Sequence, residues 1–142
     1  MANKKVIPYL FFSGTAEAAI EHYTRTLGAE SEGVMRFADM PGEQHDRAPE
    51  DLQRVMHATI RIGATQLMIS DVPHDRAAST TSNVELALEF DDPEDLARRF
   101  EALAVGGTVG CAIHDAFWGG KFGALTDKFG IRWMFTSNPS TE

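Results

Sequence analysis

His57 is one of two residues whose type and local pattern suit acid–base catalysis. It alternates with Thr59 and Arg61 along an apolar segment, and the positions between them are apolar. This period of two predicts a strand with one polar face. An imidazole on such a face is able to act as a general base or to hydrogen-bond a ligand. A structural or solvated histidine is the alternative interpretation.

Glu85 is the second candidate for a catalytic residue. It begins an alternating segment in which Leu86, Leu88 and Phe90 share one side, and the other side carries Glu85 and Glu89. The alternation predicts a half-buried strand with its apolar side against a core. A carboxylate on a partly apolar face is favoured as a base. The alternative is a carboxylate in water beside Glu89.

Two further side chains, Trp118 and Arg132, are candidates for ligand binding. Trp118 lies in a segment rich in glycine and aromatic residues, where glycines permit close backbone approach and aromatic rings supply flat contact area. A core or interface tryptophan is equally compatible with this pattern. Arg132 falls on the same side of a predicted strand as Met134. Its guanidinium is able to pair with Glu85 or to receive an anionic substrate, or else lies on the surface.

Three histidines stand next to an aspartate in segments that lack apolar periodicity. The pairs are His45 with Asp46, His74 with Asp75, and His114 with Asp115. Their spacings match no metal-binding motif, so we predict that these pairs lie in solvated loops. A further histidine, His22, is expected to be exposed on the first predicted helix.

Motifs typical of several enzyme classes are absent from the sequence, namely GxSxG, HExxH and the P-loop. The glycine-rich segment 106–110 follows a predicted helix instead of opening one, so it is not a dinucleotide-binding fingerprint. The absence of a strand, glycine loop and helix of that kind also argues against a methyltransferase. We therefore expect no cofactor.

The composition is that of a globular domain. Of the 142 residues, 43% are apolar, and the formal net charge is -8. Without clustered Lys and Arg, this charge disfavours nucleic acid and anionic membranes as partners. Residues 6–12 are apolar but lead into an amphipathic pattern, so we interpret them as a buried strand rather than a signal peptide. The single cysteine, Cys111, suits a reducing compartment, and we predict a cytoplasmic protein.

Each half of the chain predicts the same order of elements. In the first half, Thr15 is placed at the N-cap of a helix that ends at Gly28. In the second half, Asp92 caps a helix that ends at Gly106. The first half predicts strand 6–12, helix 15–27, a weaker strand 31–38, an exposed loop 39–53, and a hairpin of strands 55–62 and 65–71. The second half predicts strand 84–90, a helix from position 93, and strands 108–113, 121–126 and 131–137.

This internal repeat predicts an α+β fold of two βαβββ modules within one domain that spans 1–142. The modules cover about 5–71 and 84–137, and a linker of about 72–82 joins them. Two half-sheets joined edge to edge would form a curved mixed sheet around a cleft. The helix-facing sides then form the core, and the opposite sides line the cleft.

Three segments carry a more specific signature: PYLFFSG at 8–14, MHA at 56–58 with GAT at 63–65 and LM at 67–68, and FWGGKFG at 117–123 followed by TDKFGIRWM at 126–134. Together they resemble PhnB-like proteins of the vicinal oxygen chelate superfamily, which includes glyoxalases, bleomycin-resistance proteins and ring-cleaving dioxygenases. Such proteins are also labelled demethylubiquinone methyltransferase-like. The resemblance spans nearly the whole chain, and its C-terminal block is the most specific part.

The resemblance implies a paired βαβββ fold, a homodimer and a ligand cleft. In metal-dependent relatives, four inward-facing residues on the first and last strands of the modules hold a divalent cation. The matching positions are about Pro8, Met68, Glu85 and Met134. Only Glu85 suits a hard cation, because proline has no donor side chain and thioethers are soft ligands. We therefore predict no metal, and expect Met68 and Met134 to contact the ligand instead.

Three functions are compatible with these features. The first is a metal-free protein that binds a small molecule in the cleft. The second is a lyase, isomerase or dioxygenase acting on a small oxygenated substrate, with Glu85 and His57 as acid–base groups or metal ligands. The third is a module for protein interaction.

Overall fold

The computed structural model of the chain describes residues 5–40 and 47–138. The chain divides into two compact units, with the boundary between Ser79 and Thr80. This boundary lies inside the predicted linker. Each unit contains a four-stranded mixed sheet and one long helix, so the predicted α+β class is confirmed. The joining of the two half-sheets around a cleft stays a prediction.

Unit 1 is the first βαβββ module. Its sheet has the strand order β1-β4-β3-β2, in which β1 runs parallel to β4 and the other neighbours are antiparallel. A short 3-10 turn at Pro49–Asp51 precedes β3, in a segment predicted to be a loop. The elements are β1 (Tyr9–Phe12), α1 (Ala16–Leu27), β2 (Glu30–Arg36), β3 (Val55–Ile62) and β4 (Thr65–Asp71).

Unit 2 repeats this topology, which confirms the predicted internal repeat. Its strand order is β5-β8-β7-β6, and β5 runs parallel to β8. Strand β5 begins two residues later than predicted, so Glu85 directly precedes it. Strand β6 runs two residues further than predicted. The elements are β5 (Leu86–Phe90), α2 (Pro93–Ala104), β6 (Thr108–Asp115), β7 (Lys121–Thr126) and β8 (Arg132–Ser137).

The two helices begin in different ways. The Asp92 side chain accepts a hydrogen bond from the Glu94 backbone N–H, as the sequence predicts for an N-cap. Thr15 occupies the N-cap position as predicted, but its side chain makes no capping hydrogen bond. Instead the Asp71 carboxylate, at the end of β4, accepts the N–H groups of Gly14 and Ala16 at 3.0 and 2.9 Å. A residue distant in sequence therefore caps α1.

The core of each unit lies between its helix and one face of its sheet. In unit 1, the ring of Tyr23 is fully buried with the β3 and β4 side chains Ala58, Ile60 and Ile69. His22 is also buried, at 3% exposure, so the prediction of an exposed side chain is wrong. In unit 2, Phe100 of α2 meets Phe135 edge to face, and Leu88 lies opposite Phe135 on this side of the sheet, as predicted.

Neither helix in the described residues combines the length and the apolar character that a bilayer crossing requires.

Candidate functional site

The face of the unit 1 sheet opposite α1 carries a small set of aromatic and polar side chains. Tyr9 lies opposite Met68 in the register, and Met68 lies opposite Thr59. Because side chains alternate along a strand, Phe11 and His57 share this face. The predicted side for His57 is therefore the observed one. We call this surface the aromatic face and define it by Tyr9, Phe11, His57, Thr59 and Met68.

The side chains of the aromatic face contact one another. The rings of Tyr9 and Phe11 stack at 4.8 Å with an interplanar angle of 14°. The Tyr9 hydroxyl lies 3.2 Å from Nδ1 of His57, and Nε2 of His57 lies 3.5 Å from the Thr59 hydroxyl. Tyr9 and Phe11 nevertheless remain 40% and 52% exposed. The arrangement offers flat apolar area beside a hydrogen-bonding imidazole.

Tyr9 and Phe11 are not predicted from the sequence to be site residues. The apolar run 6–12 predicts a buried strand, and this prediction is wrong, because β1 begins at Tyr9 and only Phe12 among its four residues is buried. The phenol of Tyr9 was the available signal, because a buried tyrosine needs a partner for its hydroxyl. Pro8 precedes β1, and its carbonyl accepts the Met68 N–H at 3.0 Å. The side chain beside Met68 in the register is thus that of Tyr9, and not that of Pro8.

A polar network borders the aromatic face. The Glu32 carboxylate accepts hydrogen bonds from Arg61 at 2.9 Å and from Gln66 at 2.8 Å. These bonds, from Gln66 first and Arg61 second, lower the pKa of Glu32. Lys5 donates to the Gln66 side-chain oxygen at 2.5 Å. The charge of Arg61 is therefore partnered within the network, and the five residues of the aromatic face itself carry no formal charge with His57 neutral.

The corresponding face of unit 2 contains the Glu85–Arg132 ion pair. Nη2 of Arg132 donates to Oε2 of Glu85 at 2.7 Å, and Nη1 donates to the Ser82 carbonyl. Of the alternatives open for Arg132, the pairing with Glu85 is the one observed. Both side chains are partly exposed, at 41% and 29%. The Glu85 carboxylate is thereby committed to a guanidinium, which makes it less available as a base.

Trp118 is held next to β8 by a hydrogen bond and by a close approach that requires glycine at position 120. Its indole N–H donates to the Ser137 carbonyl at 3.2 Å, and its ring meets Phe122 edge to face at 6.1 Å. A Cβ at Gly120 would lie 1.9 Å from the same carbonyl, so only glycine fits there. Trp118 remains 39% exposed. The ring is therefore positioned by backbone packing, and part of its surface stays open.

The donor set at the four inherited positions does not fit a divalent metal ion. Met134 lies opposite Ala87 and Ala124, neither of which has a donor atom. Met68 has Tyr9 and Thr59 as neighbours, and the carboxylate of Glu85 is held by Arg132. In ranges 5–40 and 47–138, no group of three His, Cys, Asp or Glu side chains is arranged to hold a metal.

A sequence model of a protein family described as 3-demethylubiquinone-9 3-methyltransferase matches residues 4–136. The chain belongs to this family. It is 38% identical over 134 residues to the protein YjdN of Escherichia coli K12, which covers 89% of this chain and 90% of YjdN.

Solved structures agree with this assignment. The protein PA1353 from Pseudomonas aeruginosa superposes with a TM-score of 0.85 at 30% identity, over 97% of this chain and all of that one. A Bacillus cereus protein described as a putative 3-demethylubiquinone-9 3-methyltransferase, PhnB protein, gives a TM-score of 0.74 at 26% identity, over 94% and 99% of the two chains. Structures described as glyoxalase/bleomycin resistance/dioxygenase proteins share the fold at 18% and 14% identity. The fold is therefore glyoxalase-like, and the resemblance to PhnB-like proteins is confirmed.

The His114–Asp115 pair of this PhnB-like chain lies on a strand and not in a loop, so that prediction is wrong, whereas His74 lies in an exposed turn after β4, as predicted. His114 is on β6, where its ring contacts Phe122 and its Nδ1 lies 3.7 Å from Sγ of Cys111. Asp115 pairs with Lys121, and this hydrogen bond lowers the pKa of Asp115. The strand position of His114 and Asp115 is not predicted, because the predicted strand 108–113 ends two residues before β6 does. His45 and Asp46 lie outside the described residues.

His74 is bound to a buried carboxylate. Its Nδ1 lies 3.1 Å from both oxygens of Asp51, and its backbone N–H donates to Asp51 at 2.8 Å. The hydrogen bond with Asp51 raises the pKa of His74. Burial works to raise the pKa of Asp51, but the bonds from His74 outweigh it and the pKa is lowered. We call this contact the His74–Asp51 clasp; it joins the 3-10 turn to the segment after β4.

Proposed function

We propose that this PhnB-like protein binds a small organic molecule on the aromatic face of unit 1, without a metal ion. The observation that carries the proposal is the exposed pair of stacked rings, Tyr9 and Phe11, beside the imidazole of His57. Exposed apolar area next to convergent polar groups is typical of a ligand site. A ligand would cover the rings and hydrogen-bond to the imidazole.

Four of the predicted site residues share the corresponding face of unit 2, and we assign them the same role there. Trp118 supplies aromatic area, Arg132 and Glu85 supply a paired charge, and Met134 supplies an adaptable apolar surface. The ion pair between Glu85 and Arg132 supports a binding role over catalysis by Glu85. Met68 has the equivalent role on the aromatic face.

The methyltransferase named in the family description is less well supported as the activity. A cofactor held at a strand, turn and helix uses the free N–H groups of the helix N-terminus. At α1, the Asp71 carboxylate already accepts the N–H groups of Gly14 and Ala16. These two N–H groups are therefore not free to hold a cofactor at that position.

A second candidate function rests on the contact between Tyr9 and His57. A phenol and an imidazole at 3.2 Å are able to transfer a proton, so a lyase or isomerase acting on a small oxygenated substrate is the alternative. In that case His57 is the acid–base group. Turnover of a substrate that is lost in His57→Gln but not in Glu85→Gln would favour this alternative over simple binding.

The test begins with native mass spectrometry of freshly purified protein, which detects a retained ligand or metal directly. Amide NMR spectra recorded against a library of planar organic compounds then locate binding. We expect shifts at Tyr9, Phe11 and His57, and weaker binding by Phe11→Ala. Phe117→Ala is the matched control, because it removes a phenyl ring that is 98% exposed in unit 2. A library in which no compound shifts these amides would contradict the proposal.

A further inference from the structure

We propose that Tyr9 sets the tautomer of His57, so that Nε2–H faces the ligand and selects an uncharged planar molecule with an oxygen acceptor. The inference rests on the proposed function, because it concerns the same aromatic face. It adds a positioning residue, Tyr9, and a chemical class of ligand. Neither follows from the sequence signature that identifies the family.

The tautomer follows from the two contacts of the imidazole. A neutral imidazole has one nitrogen that donates and one that accepts. Nδ1 lies 3.2 Å from the Tyr9 hydroxyl, which is held in place by the stacking of its ring on Phe11. A phenol is a better donor than a neutral imidazole N–H, so the Tyr9 hydroxyl donates and Nδ1 accepts. The proton of the ring then lies on Nε2.

The Nε2–H group keeps capacity for a ligand. Its neighbour in the protein is the Thr59 hydroxyl at 3.5 Å, which is the outer limit of a hydrogen bond. An oxygen acceptor of a ligand at the usual distance of about 2.9 Å would form a better bond. A carbonyl oxygen meets this need, because it accepts a hydrogen bond and donates none.

The remaining properties of the ligand follow from the other side chains of the face. Tyr9 and Phe11 offer nearly parallel rings, which favour a flat molecule. The nearest charged group along β3, Arg61, is held by Glu32 in the polar network. The guanidinium that an anionic ligand would need is already paired with Glu32, so an uncharged ligand is favoured.

The tautomer is tested by long-range proton–nitrogen NMR spectra of the full chain at about pH 8.5, where an ordinary histidine with a pKa of about 6.5 is neutral. We expect His57 almost entirely as the Nε2–H form in the wild type and a larger fraction of the Nδ1–H form in Tyr9→Phe. Thr59→Val is the control, since it removes the other hydroxyl near the ring, and it should leave the Nε2–H form in place. An Nδ1–H form in the wild type, or an unchanged tautomer in Tyr9→Phe, overturns the proposal.

The ligand class is tested with two probes of matched shape, acetylnaphthalene, which has a carbonyl, and isopropylnaphthalene, which has none. We expect the wild type to bind acetylnaphthalene about threefold to tenfold more tightly, as one net hydrogen bond supplies. In Tyr9→Phe this preference should shrink. Equal binding of the two probes overturns the ligand class.

These outcomes are separate from those of the proposed function. If neither probe shifts the amides of the aromatic face while another library compound does, the ligand class is wrong and the proposed function stands. If no compound shifts those amides, the proposed function is wrong as well. The tautomer measurement is made without ligand, so it decides the role of Tyr9 in either case.

Discussion

Glu85 has a defined partner, which makes its contribution to stability measurable. Its carboxylate pairs with Arg132 at 2.7 Å, but both side chains are in contact with water. Exposed ion pairs contribute little, because solvent screens the charges. We expect Glu85→Gln to lower the free energy of unfolding by about 0–1 kcal/mol, measured by urea denaturation. Glu89→Gln, on the same side of β5, is the control, and a loss well above this range would contradict a partly solvated pair.

The side chains of Met68 and Met134 lead to a prediction about metal content. Thioethers are poor ligands for zinc, nickel, iron and manganese, and Glu85 is engaged by Arg132. We expect freshly purified protein to contain no stoichiometric transition metal, as measured by elemental analysis after dialysis. One tightly held metal ion per chain would contradict this and would favour the enzymatic alternative.

The His74–Asp51 clasp joins two elements and makes the stability of the fold depend on pH. Around His74 lie the acidic groups Asp51, Glu50 and Asp75, and Arg54 lies 3.9 Å from Asp51. Because the pKa of His74 is raised in the folded chain, its stabilising effect is complete below 6.5, the ordinary histidine pKa. The effect is lost as pH rises through the raised pKa. Because the pKa of Asp51 is lowered, the clasp is also lost as pH falls through that lower pKa.

The clasp is checked by NMR titration of the histidines. We expect the pKa of His74 to lie above 6.5 and to return towards it in Asp51→Asn. The stability difference between the wild type and His74→Gln should shrink as pH rises through the His74 pKa. A His74 pKa at or below 6.5 would show that the clasp does not form in solution.

The packing of α2 on its sheet distinguishes two leucines. Leu103 is fully buried, whereas Leu88 on β5 is only half-buried. We expect Leu103→Ala to lower the free energy of unfolding by about 2–5 kcal/mol through lost burial and a cavity, and Leu88→Ala to cost less. Val105→Ala, at a 67% exposed position just after α2, is the control. Equal losses for the two leucines in chemical denaturation would contradict the observed difference in their burial.

For the whole molecule, we propose a homodimer. Strand β2 is an edge of its sheet, and all of its residues except Arg36 are exposed, including Val34 at 43%. Unpaired edges and apolar side chains of this kind favour pairing with a second copy. Sedimentation equilibrium should show a dimer at tens of micromolar. Val34→Lys should weaken it, whereas Val6→Lys, at an exposed position outside the strands, should not; a monomeric wild type would refute the proposal.

The sequence by itself determined the repeat, the order of the elements along the chain and most element boundaries. Burial of apolar side chains is favourable, and their period of two or 3.6 residues indicates which face of a strand or helix is buried. This is why Leu88 and His57 were placed on the correct sides of their sheets. Gly28 ends α1 with φ 71°, as its position after the last periodic residue predicts. The family followed from motifs local in the chain.

Only the tertiary structure decided which polar groups meet. Asp71 and Gly14 are 57 residues apart, His57 and Tyr9 are 48 apart, and Arg132 and Glu85 are 47 apart. Such pairs are set by strand register, and a slip of one residue would move each side chain to the opposite face. The sequence left Arg132 with several alternatives and placed His74 beside Asp75, whereas the partner of His74 in the fold is Asp51. The physical reason is that hydrogen bonds and ion pairs need atoms within a few ångströms, a distance that local periodicity does not encode.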